Sequence, residues 1–509
     1  MARTGVMTIR RKCRGHGRVL TVLLLAALSA PIAEAQEATA GLQQSTSPLS
    51  NASSTPERVQ GYAYGVDAGV GETDNVSLAP ADKVSQTIAI ADADFRVDHR
   101  SRLFDVNAIG NFSYLDYLQH AYGNQLLGRF DGNADAMIVP GRLTWILRDD
   151  FGQSAIDPYT PTTPTNVESI NYIATGPDLK WRFGGINLID VSARYARAQY
   201  QSSPFNSNRL LGSVGLGREV SAGGAVSLNV NTERVMFDNT QLNSDFERTS
   251  GFGRYEIHGA RTDLSAELGA TVVSQSTGAS TALQPQNGVT GTNATFAPMA
   301  PVVAAQTDQS GSLSGPLANF ELSRRVSPSA KVIFKAGRDL TDASSSFSAE
   351  TTAFTGINPT AAAALTSESY RMTYASAVWQ YQRNRTTLGV TARWEKDIYP
   401  GLSNLDAILS SVGFNVERKL TRAFTAQLLG NWYKYDYPHT MLASHVVGST
   451  DYANALLGAA LTWRHGRGLE VRLRCDHTSN SVSNGNTGYH ETRVFLTVGY
   501  RPASHIASP

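Results

Sequence analysis

Asn454-Ala455-Leu456-Leu457-Gly458-Ala459-Ala460-Leu461-Thr462-Trp463-Arg464, then His465-Gly466-Arg467-Gly468, then Leu469-Glu470-Val471-Arg472-Leu473-Arg474-Cys475-Asp476, is the stretch that decides the fold. Every second residue from Ala455 to Trp463 is apolar, and those between are small or polar apart from Leu456. After a tight polar turn, Leu469, Val471, Leu473 and Cys475 alternate with Glu470, Arg472, Arg474 and Asp476. Successive strand side chains point to opposite faces, so this is a hairpin with one oily wall and one charged wall. Many such strands, each long enough to cross a bilayer at a tilt, predict an all-β transmembrane up-and-down antiparallel barrel with its charged wall facing an aqueous lumen.

The same period runs through most of the chain. Tyr62 to Val70, Ala89 to Val97, Phe104 to Tyr114 and Leu126 to Ile138 alternate cleanly near the start. Ile189 to Tyr195, Val226 to Thr232, Leu264 to Val272, Leu388 to Trp394, Val412 to Val416 and Ala426 to Trp432 follow. Runs of this kind, bounded by turn residues, read as strands. About 20 strands fit the chain, within a range of 16–22, and bacterial single-chain barrels take an even number.

Connections alternate in length. Short turns such as Val139-Pro140-Gly141, Gly184-Gly185 and Arg383-Asn384-Arg385 separate longer polar loops such as Ser154 to Glu168, Thr341 to Glu368, Tyr435 to Thr450 and Thr478 to Gly488. Short periplasmic turns opposite long outer loops are the asymmetry of an outer-membrane barrel, and they put both termini in the periplasm. Trp145, Trp181, Tyr195, Tyr255, Trp379, Tyr381, Trp394, Trp432 and Trp463 sit near strand ends, as interfacial aromatics do. The longest connection, Ser274 to Gly315, is the segment expected to fold inward as a constriction.

Residues 1–35 read as a signal peptide, with a basic start from Arg3 to Arg18, an apolar run from Val19 to Pro31 and an Ala33-Glu34-Ala35 cleavage site. Residues 36–58 read as a flexible periplasmic spacer, 59–501 as the barrel and 502–509 as a tail. The leader holds 6 of 44 basic and 1 of 43 acidic residues, so the rest carries 38 against 42, a net charge of −4 in place of +1. That balance gives no reason to expect nucleic-acid binding. Cys475 is then the single mature cysteine, which rules out an intrachain disulfide. A mean hydropathy of −0.23 is no obstacle, because half of each barrel strand faces water.

The last strand, Thr492 to Arg501, carries Val494, Leu496, Val498 and Tyr500 on one face and resembles the C-terminal signal read by the barrel-assembly machinery; the chain then continues to Pro509. The leader, the segment Glu72-Thr73-Asp74-Asn75-Val76-Ser77-Leu78-Ala79-Pro80 after the first strand, and hairpins such as Leu179-Lys180-Trp181-Arg182-Phe183-Gly184 resemble the type 2 outer-membrane β-barrel porin family, which is associated with exopolysaccharide export. The resemblance implies a passive exit pore for polysaccharide and brings no catalytic residues; the barrel reading expects outer-membrane lipid, polysaccharide and periplasmic export components as partners and no cofactor.

The residues themselves agree in lacking a Walker loop, a Gly-x-Ser-x-Gly elbow and a His-Glu-x-x-His motif. His439 and His445 share a loop without a full ligand set. His477 beside Asp476 near many serines keeps a barrel-embedded hydrolase open as an alternative, and a structural or adhesive barrel with a blocked lumen is another. Lumen-lining candidates are Asp92, Asp94, Arg129, Asp131, Asp135, Asp190, Arg194, Glu267, Arg393, Glu417, Glu470, Arg472, Arg474 and Arg493, with Arg501 just beyond. They read equally as a solute path or as ion pairs that hold neighbouring strands in register. Their mixed signs predict weak ion selectivity.

Overall fold

The computed structural model describes residues 61–156, 163–275, 312–353, 366–400, 402–438, 450–482 and 488–502, with the pairs 282–283, 303–304, 441–442 and 445–446. The leader, the spacer, the tail beyond Pro502, most of Ser274 to Gly315, His439 and the side chain of His445 lie outside the described residues.

Twenty antiparallel strands form one sheet, from β1 (Gly61–Thr73) to β20 (His490–Tyr500). Each pairs with its neighbours in the sequence, and β20 returns to β1 through Val66↔Tyr500 to Thr73↔Arg493. The sheet is therefore a closed barrel with no free edge along that seam. The hairpin read first becomes β18 (Thr450–His465) and β19 (Leu469–Val482), paired Arg464↔Glu470, Thr462↔Arg472 and Leu461↔Leu473.

Connections at one end are short. At the Gly184-Gly185-Ile186 turn both glycines have positive φ, 60° and 78°, which lets three residues reverse the chain between Phe183 and Asn187. Each other reversal at this end spans two to four residues, including Gly259-Ala260-Arg261, a turn whose sequence gave little signal. Connections at the opposite end are longer, and both β1 and β20 have their terminal ends on the short-turn side.

The outward face is apolar. Leu228 and Leu268 are 69% and 71% exposed, and Val230, Leu461, Leu473 and Val498 are exposed too. Trp145, Trp181, Trp379 and Trp463 face outward near the turn end, and Trp394 and Trp432 toward the loop end. Alternation places the charged residues on the other face. That face encloses the lumen, as contacts between strands far apart around the ring demonstrate below.

The polar connection Thr341 to Glu368 departs from a plain loop. It contains helix α1 (Ala343–Ala353), Ala-Ser-Ser-Ser-Phe-Ser-Ala-Glu-Thr-Thr-Ala. No apolar stripe marks this helix in the sequence. Asp342 caps its start, its carboxylate accepting from the Ser345 amide at 3.4 Å, while the Ser346 amide donates to the Asp342 carbonyl at 3.0 Å.

Candidate functional site

The inner wall differs between its two ends. Toward the short turns Lys180, Arg182, Arg325, Lys419 and Arg464 are exposed. Toward the loops Glu168, Tyr200, Tyr370, Asp397, Tyr437 and Tyr452 are buried, as are four apolar clusters, one of which gathers Tyr172, Tyr200, Phe205, Phe237, Phe246 and Leu340. Among the described residues the loop end is thus filled, whereas the turn end is exposed on these strands and buried around Arg501 and Glu470.

The lumen-lining candidates fall on the face opposite the exposed apolar residues, and most have partners there. The Ser113 hydroxyl donates to Asp92 at 2.5 Å. Arg254 and Asn319 donate to Glu267 at 2.7 and 3.0 Å. Arg194 bonds Asp178 and the Pro177 carbonyl, Arg393 bonds Glu395, and Gln427 donates to Glu417 at 3.1 Å. Arg472 donates to Thr462 at 3.3 Å, Arg474 to Asp476 at 3.0 Å, and Arg493 lies 3.6 Å from Glu491. Asp190 sits opposite Lys180, Asp135 opposite Asp105, Asp131 opposite Asp150, and Arg129 opposite Asn111.

Arg501 reaches three carboxylates. Its guanidinium donates to Glu470 at 2.6 Å and to Asp67 at 3.4 Å, and also bonds Asp94. Those carboxylates belong to β19, β1 and β2 (Gln86–Arg100), so one buried cation braces both sides of the closing seam.

A second buried network was not foreseen from the sequence. Arg209, on β8 (Ser207–Ser221), is fully buried and donates to Glu233 at 3.0 Å, to Asp342 at 2.6 and 3.2 Å, and to the Ser345 hydroxyl at 3.0 Å. Arg248, on β10 (Phe246–His258), bonds Glu233, approaches Asp342 at 3.4 Å and donates to Ser345 at 3.1 Å. Burial alone would raise the Asp342 carboxyl, but the Arg209 and Arg248 guanidiniums outweigh it and hold that group below the usual carboxylate range.

From Asp342 the start of α1 crosses the lumen on serine hydroxyls. Ser344 lies 2.7 Å from the Tyr200 hydroxyl and Ser346 2.5 Å from that of Tyr370. Ser348 donates to Asp150 at 3.1 Å, and Arg148 donates to its carbonyl. Phe347 lies over Gly152. Asp150 sits on β5 (Leu143–Ala155) whereas the segment leaves β13 (Ala330–Thr341), eight strands away, so the contact runs through the interior. The described inward segment is therefore Asp342–Ser348; Ser274 to Gly315, expected in that role from its length, lies mostly outside the described residues. Strand parity alone would have turned Arg209 and Arg248 inward, but nothing in the sequence paired them with Asp342.

The His477 and Asp476 pairing considered for a hydrolase does not form. Asp476 is buried on the inner wall against Arg474, while His477 points outward beside Thr492 and stacks on His490. Adjacent strand residues cannot share a face. Among the described residues no group of three or more His, Cys, Asp or Glu side chains is arranged to hold a metal.

No family model and no curated protein matches the sequence. Solved structures with a similar arrangement include the FrpB iron transporter from Neisseria meningitidis (F5-1 variant), at TM-score 0.41 and 8% identity over 87% of this chain and 82% of that one. The siderophore receptor PirA from Pseudomonas aeruginosa gives 0.38 and 10% over 87% and 81%, and the copper transporter OprC gives 0.38 and 11% over 88% and 82%. What those proteins carry is a property of theirs.

Proposed function

We propose that this chain is an outer-membrane β-barrel pore of a Gram-negative bacterium, a passive exit channel for exopolysaccharide or capsular polymer rather than an enzyme. The observation that carries the reading is the inverted polarity of the closed barrel, with aliphatic and aromatic side chains exposed outside and ion pairs inside. Exposed leucines at 69% and 71% are stable against hydrocarbon and costly against water. A ring of 20 strands is wide enough for a lumen, and the half-exposed charges near the turns keep that end hydrated. In this reading the short turns and both termini face the periplasm, where export components would meet the turn end, and β20 serves the barrel-assembly machinery.

The filled loop end favours a second reading, a structural barrel with a blocked lumen. Planar-bilayer recording of the purified protein separates the two. Stepwise conductance supports the pore, whereas a silent bilayer together with normal polymer secretion in a deletion strain leaves the blocked barrel.

A further inference from the structure

We propose that Asp342–Ser348 is a self-ligand: one carboxylate and four hydroxyls of the chain's own, occupying a lumen site whose external ligand is an acidic polysaccharide. The proposal rests on the reading of the barrel as a polysaccharide pore and names the class of polymer.

The wall groups are a recognition set in their own right. Arg209 and Arg248 grip the Asp342 carboxylate from two strands, and Tyr200, Tyr370 and Asp150 each meet one serine hydroxyl, while both arginines reach Ser345. Guanidinium forks suit carboxylates, and tyrosine or carboxylate partners suit hydroxyls. A uronate residue offers the same combination of one carboxylate and several hydroxyls within a short span.

Charge fixes the class. With Asp342 in place, two arginines face two carboxylates, Asp342 and Glu233. When the segment withdraws it takes Asp342 with it, leaving Glu233 as the carboxylate in direct contact with Arg209 and Arg248, with Asp339, bonded to Thr271, acting on Arg248 from further off. The two guanidiniums then lack the carboxylate that paired with both of them, a partner that an acidic sugar can replace and a neutral one cannot. Withdrawal breaks the hydroxyl bonds, which water or a solute can replace at small net cost, and the Asp342 ion pairs, which an incoming carboxylate re-forms on the same guanidiniums. The Ser344, Ser346 and Ser348 contacts thus form an autoinhibitory strap that the exported polymer displaces.

The test uses full-length mature protein in detergent micelles, with folding confirmed by heat-modifiable gel migration, and isothermal calorimetry with a hexameric oligogalacturonate. The strap-released variant S344A/S345A/S346A/S348A is expected to bind the acidic hexamer at least tenfold more tightly than wild type. D342A/S345A serves as an independent release should the first variant fold poorly. In either released background, R209Q or R248Q should cost at least tenfold in affinity, and maltoheptaose should bind at least tenfold more weakly than the acidic hexamer. Equal affinity for wild type and released protein, or no binding by folded released protein, overturns the self-ligand. Equal binding of maltoheptaose overturns the acidic class. A failed pore reading shows itself separately, as absent conductance in strap-released protein that still binds the acidic hexamer.

Discussion

The β18–β19 hairpin and the Asp342–Ser348 strap are opposite solutions to holding a segment in place. The hairpin is tied by a continuous ladder between residues 4 to 30 positions apart, from His465↔Leu469 to Tyr452↔Val482, and its side chains only choose which wall meets lipid. The strap has no ladder. Its bonds reach Tyr200, Arg209 and Asp150, between 133 and 198 residues away, and all of those but the Arg209 grip on Asp342 are made by hydroxyls. Local periodicity secures the first, and the second depends on the barrel having already closed.

Four substitutions or conditions would break or sharpen this contrast. The largest effect is expected for Arg209→Met, which leaves Asp342 and Glu233 facing Arg248 alone in a buried site. Breaking such a pair costs about 3–5 kcal/mol, felt at the strap and loop end, and faster cleavage of that connection by added protease would reveal it. If cleavage is unchanged, the strap is held by something other than this network. Leu473→Arg attacks the hairpin instead, placing a charge in the outward apolar band at about 2–4 kcal/mol. Guanidinium unfolding from lipid vesicles should report that loss, and an unchanged midpoint would mean that this wall does not meet lipid.

Arg501→Gln acts on the seam, and touches the hairpin only through Glu470. Charged hydrogen bonds of this kind contribute about 1.5–3 kcal/mol, so the variant should lower the unfolding midpoint and slow refolding while leaving an open channel's conductance as it was.

The smallest effect expected is that of acid. Because the Asp342 carboxyl is depressed in the folded protein, its contribution is fully present above its ordinary value of 3.8 and is lost only as pH falls through the lower folded value. Conductance and strap protection should therefore stay constant from pH 7 to 4. A transition near pH 5 would show that another group controls the strap.

Much of the fold was legible because hydrophobic alternation repeats in strand after strand, and a two-residue period has one reading. The Arg472, Arg474 and Glu470 series showed its facing in the primary sequence, and so did Trp145, Trp181 and Trp463 on the other wall. The strap was not legible. Ala343 to Ala353 has neither an apolar stripe nor a strand period, and serine-rich sequence ordinarily signals a loop. Length drew attention to Ser274 to Gly315, yet length says nothing about which loop finds partners on the inner wall. Strand alternation turns Arg501 toward the lumen, but its grip on Asp67, Asp94 and Glu470 needs the ends of the chain to meet.

The sequence by itself determined that each strand would have a wet and an oily face, and hence a barrel, because side-chain direction along a strand is fixed by backbone geometry. Which carboxylate Arg209 would hold, and which connection would cross the lumen, only the tertiary structure decided. The contacts of Arg209 with Asp342, Tyr200 with Ser344 and Asp150 with Ser348 join residues 133 to 198 positions apart, and such distances close only when the ring itself does.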